Sequence, residues 1–253
     1  MAFDPVVSLR IINNQRLMRA THRGEYRDLG GALAITSDAA HLQWNCIEGF
    51  TTDEARIEGL LDIGFSLLRA FDRLPAARVT PLDRPASVAQ RLQRRGLAQT
   101  TVDVSMTYAP TSPPAHDDAI VVRRADPEDA GDIATIQSQA FPSSRWMRPF
   151  LLGAALANII EPDHAFYLAY DGGEPCAAAL SIREERTAGI YSVATLRAHR
   201  NRGLATALVA RAVTDAFAAG ADCICLEAER GSDARRLFEK LGFTAAHEST
   251  TFG

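Results

Sequence analysis

Hydrophobic and polar positions in the second half of the chain follow the periods of strands and helices in turn. Residues 190–193 are rich in β-branched and aromatic side chains and predict a strand. Apolar residues then recur at helical spacing from Gly203, which predicts an amphipathic helix ending at Gly220. An almost wholly apolar strand over 223–229 and a helix over 232–241 follow. The alternation indicates a mixed α/β fold.

The same patterns predict the other elements. Upstream in the second half, they indicate strands at 119–123, 166–170 and 177–182 and helices at 126–141 and 148–160. In the first half, they indicate strands at 30–36, 42–47, 78–81 and 101–108 and helices at 52–71 and 86–95. Thr52 is the predicted N-cap of the helix at 52–71, and Gly96 stands where a left-handed C-cap is expected.

Proline-rich residues 110–114 divide the chain. Three prolines in this stretch exclude a helix or a central strand and predict a linker. We therefore expect two domains, at 1–110 and 119–253, joined by a linker at 111–118. A length of 253 residues accommodates two domains of ordinary size.

Charge and composition exclude several classes of function. A net charge of −4 argues against a nucleic-acid partner. No apolar run is long enough to span a membrane, so we expect no membrane partner and a cytoplasmic location. The four cysteines lack framework spacing, and Cys223 and Cys225 lie in an apolar strand pattern. This placement favours core packing over a metal site or a disulfide.

A basic loop joins the strand at 190–193 to the helix that begins at Gly203. The first N–H groups of a helix have no internal partner, and the helix dipole favours negative charge there. Gly203 also allows a ligand to approach the backbone closely, because glycine has no Cβ. The loop therefore predicts a phosphate or pyrophosphate site, although it lacks the glycines of a Walker A loop or a dinucleotide-binding fingerprint.

The pattern Arg200-x-x-Gly203-x-Ala205 resembles the pyrophosphate loop of the GCN5-related N-acetyltransferases, the GNAT superfamily. That family has Gln/Arg-x-x-Gly-x-Gly/Ala between its fourth strand and third helix. Residues 237–243, Leu-Phe-Glu-Lys-Leu-Gly-Phe, are similar to the string that ends the family's last helix. The two similarities occur in the family's order and cover about 120–252. They imply a GNAT acyl-CoA N-acyltransferase fold with a mixed sheet.

The resemblance implies acetyl-CoA as a co-substrate. It places the pyrophosphate on the N–H groups of residues 202–205, with positive charge from two arginines, and the pantetheine arm beside residues 193–195. The implied cofactor-binding residues are Val193, Ala194, Thr195, Arg200, Asn201, Arg202, Gly203, Leu204, Ala205 and Phe238.

The chain departs from the family at the position of the general acid. The family often has an asparagine seven residues before a tyrosine that protonates the departing thiolate, and these positions hold Gly231 and Phe238 here. A phenyl ring cannot donate a proton. For the general base we predict Glu227 or Glu229, which share one strand face at period two. The alternative is that both are solvated acids at the end of a strand.

Other side chains near the predicted site have two interpretations each. Tyr191, Trp146 and Phe150 are candidates for the acceptor pocket, and Tyr191 equally fits a core or surface aromatic residue. His199 lies beside the loop arginines, where a solvated histidine is favoured over a phosphate contact. Ser232 is a nearby hydroxyl whose favoured role is an N-cap.

An internal repeat relates the two halves. Residues 91–97 align without gaps with 237–243, and the helix at 52–71 matches the helix that begins at Gly203. The first half has no matching arginine loop, since residues 47–52 contain Glu48 instead. The repeat predicts two tandem GNAT-like halves, of which the first is degenerate and has no cofactor loop. Chance similarity of two helix–glycine–strand units is the alternative.

These features predict an N-acetyltransferase that transfers an acetyl group from acetyl-CoA to a small-molecule amine. The alternative is a catalytically weak acyl-CoA-binding regulatory or sensor protein, which the loss of the family tyrosine favours. A third interpretation is an unrelated α/β protein with a phosphate-binding loop. The sequence leaves the acceptor and the oligomeric state open.

Overall fold

The computed structural model describes residues 3–21, 24–39, 41–141 and 147–253. Among its described residues, the first half contains three α-helices: α1 (Pro5–Thr21), α2 (Ile57–Ala70) and α3 (Val88–Arg94). Its strands are β1 (Glu25–Asp28), β2 (Leu33–Thr36), β3 (Cys46–Glu48), β4 (Ala77–Val79) and β5 (Gln99–Tyr108).

The second half contains four helices among the described residues: α4 (Ala130–Ala140), α5 (Arg148–Ile160), α6 (Leu204–Ala218) and α7 (Asp233–Lys240). Its strands are β6 (Val122–Arg124), β7 (His164–Asp171), β8 (Glu174–Glu184), β9 (Thr187–Thr195), β10 (Cys223–Glu229) and β11 (Phe243–Phe252).

Eleven strands form one mixed sheet in the order β1-β2-β3-β4-β11-β5-β10-β9-β8-β7-β6. Only the pairs β3–β4 and β9–β10 are parallel among the described strands. The two halves exchange their last strands: β5 lies between β10 and β11, whereas β11 lies between β4 and β5. The mixed α/β fold is therefore confirmed, and the halves share one sheet. Division into domains at 1–110 and 119–253 stays a prediction.

The order of elements repeats in the two halves. The series β3-α2-β4-α3-β5 matches β9-α6-β10-α7-β11, and each series contains one parallel strand pair. The aligned segments at 91–97 and 237–243 end α3 and α7 respectively. The Gly96 and Gly242 φ angles are +86° and +102°, in the left-handed region that glycine adopts readily.

Helix α1 belongs to the first half in sequence but covers the sheet near the middle. Its Ile11 packs against Cys223 and Cys225, which are buried and free of disulfides. This contact confirms their core role. The opposite sheet face carries α6 and α7, whose apolar residues pack against the alternate residues of β10, such as Leu226. Helix α1 thus lies over one side of β10, and α6 and α7 lie over the other.

Most predicted caps form as expected. Ser232 caps α7, since its hydroxyl accepts a hydrogen bond from the Arg235 N–H at 3.1 Å. The predicted cap at Thr52 is wrong because α2 begins later, at Ile57. Asp53 binds the N–H groups that lead into this helix, at 3.0 Å to Ala55 and 2.9 Å to Arg56.

Candidate functional site

The parallel strands β9 and β10 separate halfway along their length. Their pairing runs from Thr187 with Cys223 to Ile190 with Leu226 and ends there. Immediately afterwards, Ser192 has a φ of +51°, and the β8–β9 register shifts at this point. The shift is a bulge, which bends a strand and leaves one residue without a ladder partner. The end of β9 is therefore free of β10.

The separated strands open onto a cleft of about 760 Å³. Its walls are the end of β9, the loop before α6, the first turn of α6 and one face of α7. The structure brings together here nine of the ten predicted cofactor-binding residues: Val193, Ala194, Thr195, Arg200, Asn201, Gly203, Leu204, Ala205 and Phe238. The tenth, Arg202, does not line this cleft.

The loop presents the start of α6 to the cleft. Asn201 and Gly203 have φ angles of +62° and +82°, and Gly203 is the N-cap residue of α6. No side chain caps this helix, so its first N–H groups lack the partner that a Ser, Thr or Asp would supply. A Cβ added to Gly203 would lie 3.1 Å from the Ile120 side chain. Unpartnered N–H groups at a helix start are the kind of donor that favours an anion.

The loop cations have different partners. Arg200 donates only to carbonyl oxygens among the described residues, those of Thr195 and Ala140, both at 3.3 Å. Arg202 instead forms an ion pair with Asp171 at 2.5 Å, and His199 contacts the same carboxylate at 2.8 Å. These hydrogen bonds, that of His199 foremost, lower the pKa of Asp171. Arg200 thus retains a charge that no carboxylate neutralises.

Two further cations, both on α7, line the cleft and were not among the predicted site residues. Arg236 and Lys240 line the cleft, with Arg236 also paired to Asp233. They lie four residues apart and so share a helix face. This spacing is visible in the sequence, but only the packing of α7 beside the loop shows that the face belongs to the cleft.

Glu227 and Glu229 lie outside the cleft lining, on the sheet face that α1 covers. Glu227 Oε2 accepts hydrogen bonds from Gln15 Nε2 at 2.8 Å and Ser105 Oγ at 3.4 Å, and it forms an ion pair with Arg78. Its side chain is 18% exposed. Glu229 is exposed and lies opposite Asp103 in the β5–β10 ladder. Their shared strand face is confirmed, while their environments differ.

The aromatic candidates are placed as follows. Tyr191 is buried and donates its hydroxyl hydrogen to Asn14 Oδ1 of α1 at 2.6 Å, which fits the core interpretation. Phe150 packs against Trp44 of the first half, with 5.7 Å between ring centroids. Trp146 lies outside the described residues.

The corresponding place in the first half is already occupied. Asp53 supplies a carboxylate to the N–H groups before α2, where α6 has an uncapped start. Glu48, expected in place of the loop arginines, instead lies under α1 and pairs with Arg16 at 2.9 Å and Arg19 at 2.7 Å. The first half thus has an acid at its helix start, but that acid is Asp53.

Residues 132–243 match the family model described as Acetyltransferase (GNAT) family. Residues 132–243 therefore form a GNAT acetyltransferase domain. No curated protein sequence matches the chain. The part of the chain that the structure describes contains no helix long and apolar enough to cross a membrane, and no His, Cys, Asp and Glu group arranged to hold a metal.

Solved structures share the fold over nearly the whole chain. A GCN5-related N-acetyltransferase from Kribbella flavida is 18% identical, with a TM-score of 0.74 over 96% of this chain and 94% of that one. Another from Sphaerobacter thermophilus is 17% identical, with a TM-score of 0.67 over 89% and 81%. A tandem GNAT protein from the clavulanic acid biosynthesis pathway is 12% identical, with a TM-score of 0.63 over 90% and 78%. At these identities the likeness shows the fold alone, including the tandem GNAT arrangement.

The departure from the GNAT pattern lies inside the cleft. Phe238 lines it and packs edge-on against Phe243, with 6.1 Å between ring centroids. The ring occupies the family's tyrosine position without a hydroxyl. Gly231, at the family's asparagine position, precedes α7 with a φ of +81° and has no side chain to offer.

Proposed function

We propose that this protein is an N-acetyltransferase that transfers an acetyl group from acetyl-CoA to the amine of a small molecule. The observation that carries the proposal is the cleft between β9 and α7, which gathers nine of the residues that the family resemblance assigns to acyl-CoA. GNAT membership of residues 132–243 supports the reaction class.

The cleft residues fit a pyrophosphate. The uncapped start of α6 offers N–H donors, Gly203 leaves the approach free of a Cβ, and Arg200 adds a charge that no carboxylate neutralises. Arg236 and Lys240 add positive charge on the opposite wall. The end of β9, residues 193–195, would hold the pantetheine arm through its free backbone edge.

Acetyl-CoA supplies an activated acyl group as a thioester. The chain must orient it, polarise its carbonyl and accept a proton from the amine. Backbone groups at the end of β9 serve the first two tasks. Glu227 is our candidate for the third, because it is half-buried and three donors fix its Oε2. Glu229 is the second candidate. Phe238 cannot protonate the thiolate, so water or another group does so.

The rival function is acyl-CoA binding without efficient transfer, as in a regulatory or sensor protein. One observation favours it: Phe238 removes the family's general acid. The two functions differ in turnover, so free-thiol release from acetyl-CoA over a panel of small amines separates them.

The decisive experiment combines that assay with calorimetric titration of CoA. Glu227→Gln keeps the shape of the side chain and removes its basicity, so we expect a rate loss of about 10²–10⁴-fold with CoA affinity unchanged. Glu229→Gln tests the second candidate. Glu248→Gln, at an exposed position of β11 where the carboxylate pairs with Arg230, is the matched control. A loss below threefold in both test variants overturns the assignment of the base.

The cellular setting is part of the proposal. Four free, buried cysteines fit a reducing compartment, which supports a cytoplasmic location. The net charge of −4 supports a small-molecule partner over nucleic acid.

A further inference from the structure

Arg78 links the first half of the chain to the candidate base in the second. It lies on β4, and its guanidinium is 2% exposed. One end, Nη1, binds Asp103 of β5 at 3.1 Å, and the other, Nη2, binds Glu227 of β10. A cation this deeply buried requires counter-charges, and these two carboxylates supply them.

The contacts of Glu227 are unequal. Arg78, Gln15 and Ser105 all direct their donors to Oε2. Among the described residues, Oε1 receives no hydrogen bond. The carboxylate is therefore held at one oxygen, and the other remains available to accept a proton.

We propose that Arg78 is a positioning residue for acetyl transfer: it fixes the Glu227 carboxylate through Oε2, while Asp103 holds Arg78 from the other side. This inference rests on the proposed function of Glu227. It gives the first half a defined task, because both Arg78 and Asp103 come from residues 1–110. The exchange of the last strands brings Arg78 and Asp103 close to Glu227, because β5 lies directly beside β10.

Other titratable groups near Glu227 do not reproduce this effect. Burial lowers the pKa of His247 on β11 to about 4 and raises the pKa values of Tyr191 on β9 and Cys225 on β10, so all three stay neutral near pH 7. Glu229 on β10 is exposed. Arg16 and Arg19 on α1 both direct their charge to Glu48 on β3, and neither forms an ion pair with Glu227 among the described residues.

Asp103 responds to the same arrangement. Burial, together with the charge of Glu227, raises the pKa of Asp103 to about 6, and Arg78 opposes that rise. Two carboxylates thus share one guanidinium. Loss of the cation and loss of the second carboxylate should therefore move the pH profile of the reaction in opposite directions.

The test is the pH profile of kcat/KM for two variants. In Arg78→Gln, the buried cation that binds the candidate base is lost, so we expect the acidic limb of the profile to move up by about one pH unit or more. In Asp103→Asn, Arg78 no longer shares its charge between two carboxylates and pairs with Glu227, so the acidic limb should move to lower pH. Arg78→Lys keeps the charge but not the fork that bridges two carboxylates, so the limb should lie closer to the wild-type position than in Arg78→Gln, while the rate still falls.

Arg19→Gln is the matched control, because it removes another buried first-half guanidinium that does not touch Glu227. It should lower the unfolding midpoint without moving the limb. If Arg78→Gln does not fold, Asp103→Asn and Arg78→Lys still decide. Equal rate losses at every pH, with no shift in either direction, overturn the positioning role.

The failure of this inference differs from that of the proposed function. A large rate loss in Glu227→Gln with unshifted profiles for the Arg78 and Asp103 variants refutes only the positioning role. An unaffected rate in Glu227→Gln refutes the base and the positioning role together, while CoA titration still reports on the cleft.

Discussion

Gly203 gives the sharpest test of the cleft. Its φ of +82° and the 3.1 Å approach of Ile120 leave little room for a side chain. Gly203→Glu places a Cβ and a carboxylate at the start of α6, where the pyrophosphate must bind. Loss of one charge-assisted contact costs about 1.5–3 kcal/mol. That range corresponds to a loss of CoA affinity of about 10- to 150-fold.

The same substitution carries a cost to stability. A non-glycine residue in the left-handed region costs about 1–2 kcal/mol, so the variant folds but melts earlier. Gly220→Glu is the matched control: it lies at the other end of α6, has a φ of +79°, and has open space around its Cβ. Both variants should lose stability, and only Gly203→Glu should lose CoA affinity by calorimetry. Equal affinities in the two variants would refute the loop site.

Three further outcomes are expected. His247 is 6% exposed, neither ring nitrogen has a hydrogen-bond partner among the described residues, and burial lowers its pKa to about 4. Because the unfolded chain binds this proton at a higher pH than the folded chain does, the free energy of unfolding should fall by about 2–3 kcal/mol between pH 7.5 and 4.5. Denaturant titrations of His247→Leu at the two pH values should not show that fall. An equal fall in the variant and the wild type would contradict its assignment to His247. Asp171→Asn should raise CoA affinity about two- to fivefold at low salt, since it frees Arg202 and removes a competing anion; no change would show that Arg202 plays no part. The full chain should bind one CoA in a calorimetric titration, because the Asp53 carboxylate occupies the helix start of the first half. A chain that starts near Asp117 lacks β5 between β10 and β11, so it should aggregate in gel filtration or bind CoA weakly in titration. A stoichiometry of two, or a fully active truncated chain, would contradict this.

The sequence by itself determined the local parts of the site. Helical spacing from Gly203, the apolar strand before Glu227 and the cap at Ser232 depend on neighbours a few residues away, so local patterns report them. The left-handed φ at Gly203 is a backbone requirement that glycine meets without strain. Eight of the predicted residues that line the cleft therefore lie together, because they belong to the one stretch 193–205, whereas the packing of α7 brings Phe238 to them.

Side-chain partners were decided only by tertiary structure. Arg202 carries the same charge as Arg200 in the sequence, but the β7–β8 turn brings Asp171 to it. Glu48 appeared to replace the loop arginines, yet α1 covers it with Arg16 and Arg19. Neither partner has a sequence signal, because an ion pair depends on which surfaces the fold brings together.

The largest feature that only the tertiary structure decided is the exchange of β5 and β11. The pattern of a strand indicates which of its residues face the core. The backbone edges of the strand can pair with any strand of suitable length and direction, so the pattern does not identify the neighbour. The sequence therefore predicted two halves, and the fold joined them into one sheet. Arg78 and Glu227, 149 residues apart, meet only because that exchange brings β4 and β10 within reach of one guanidinium.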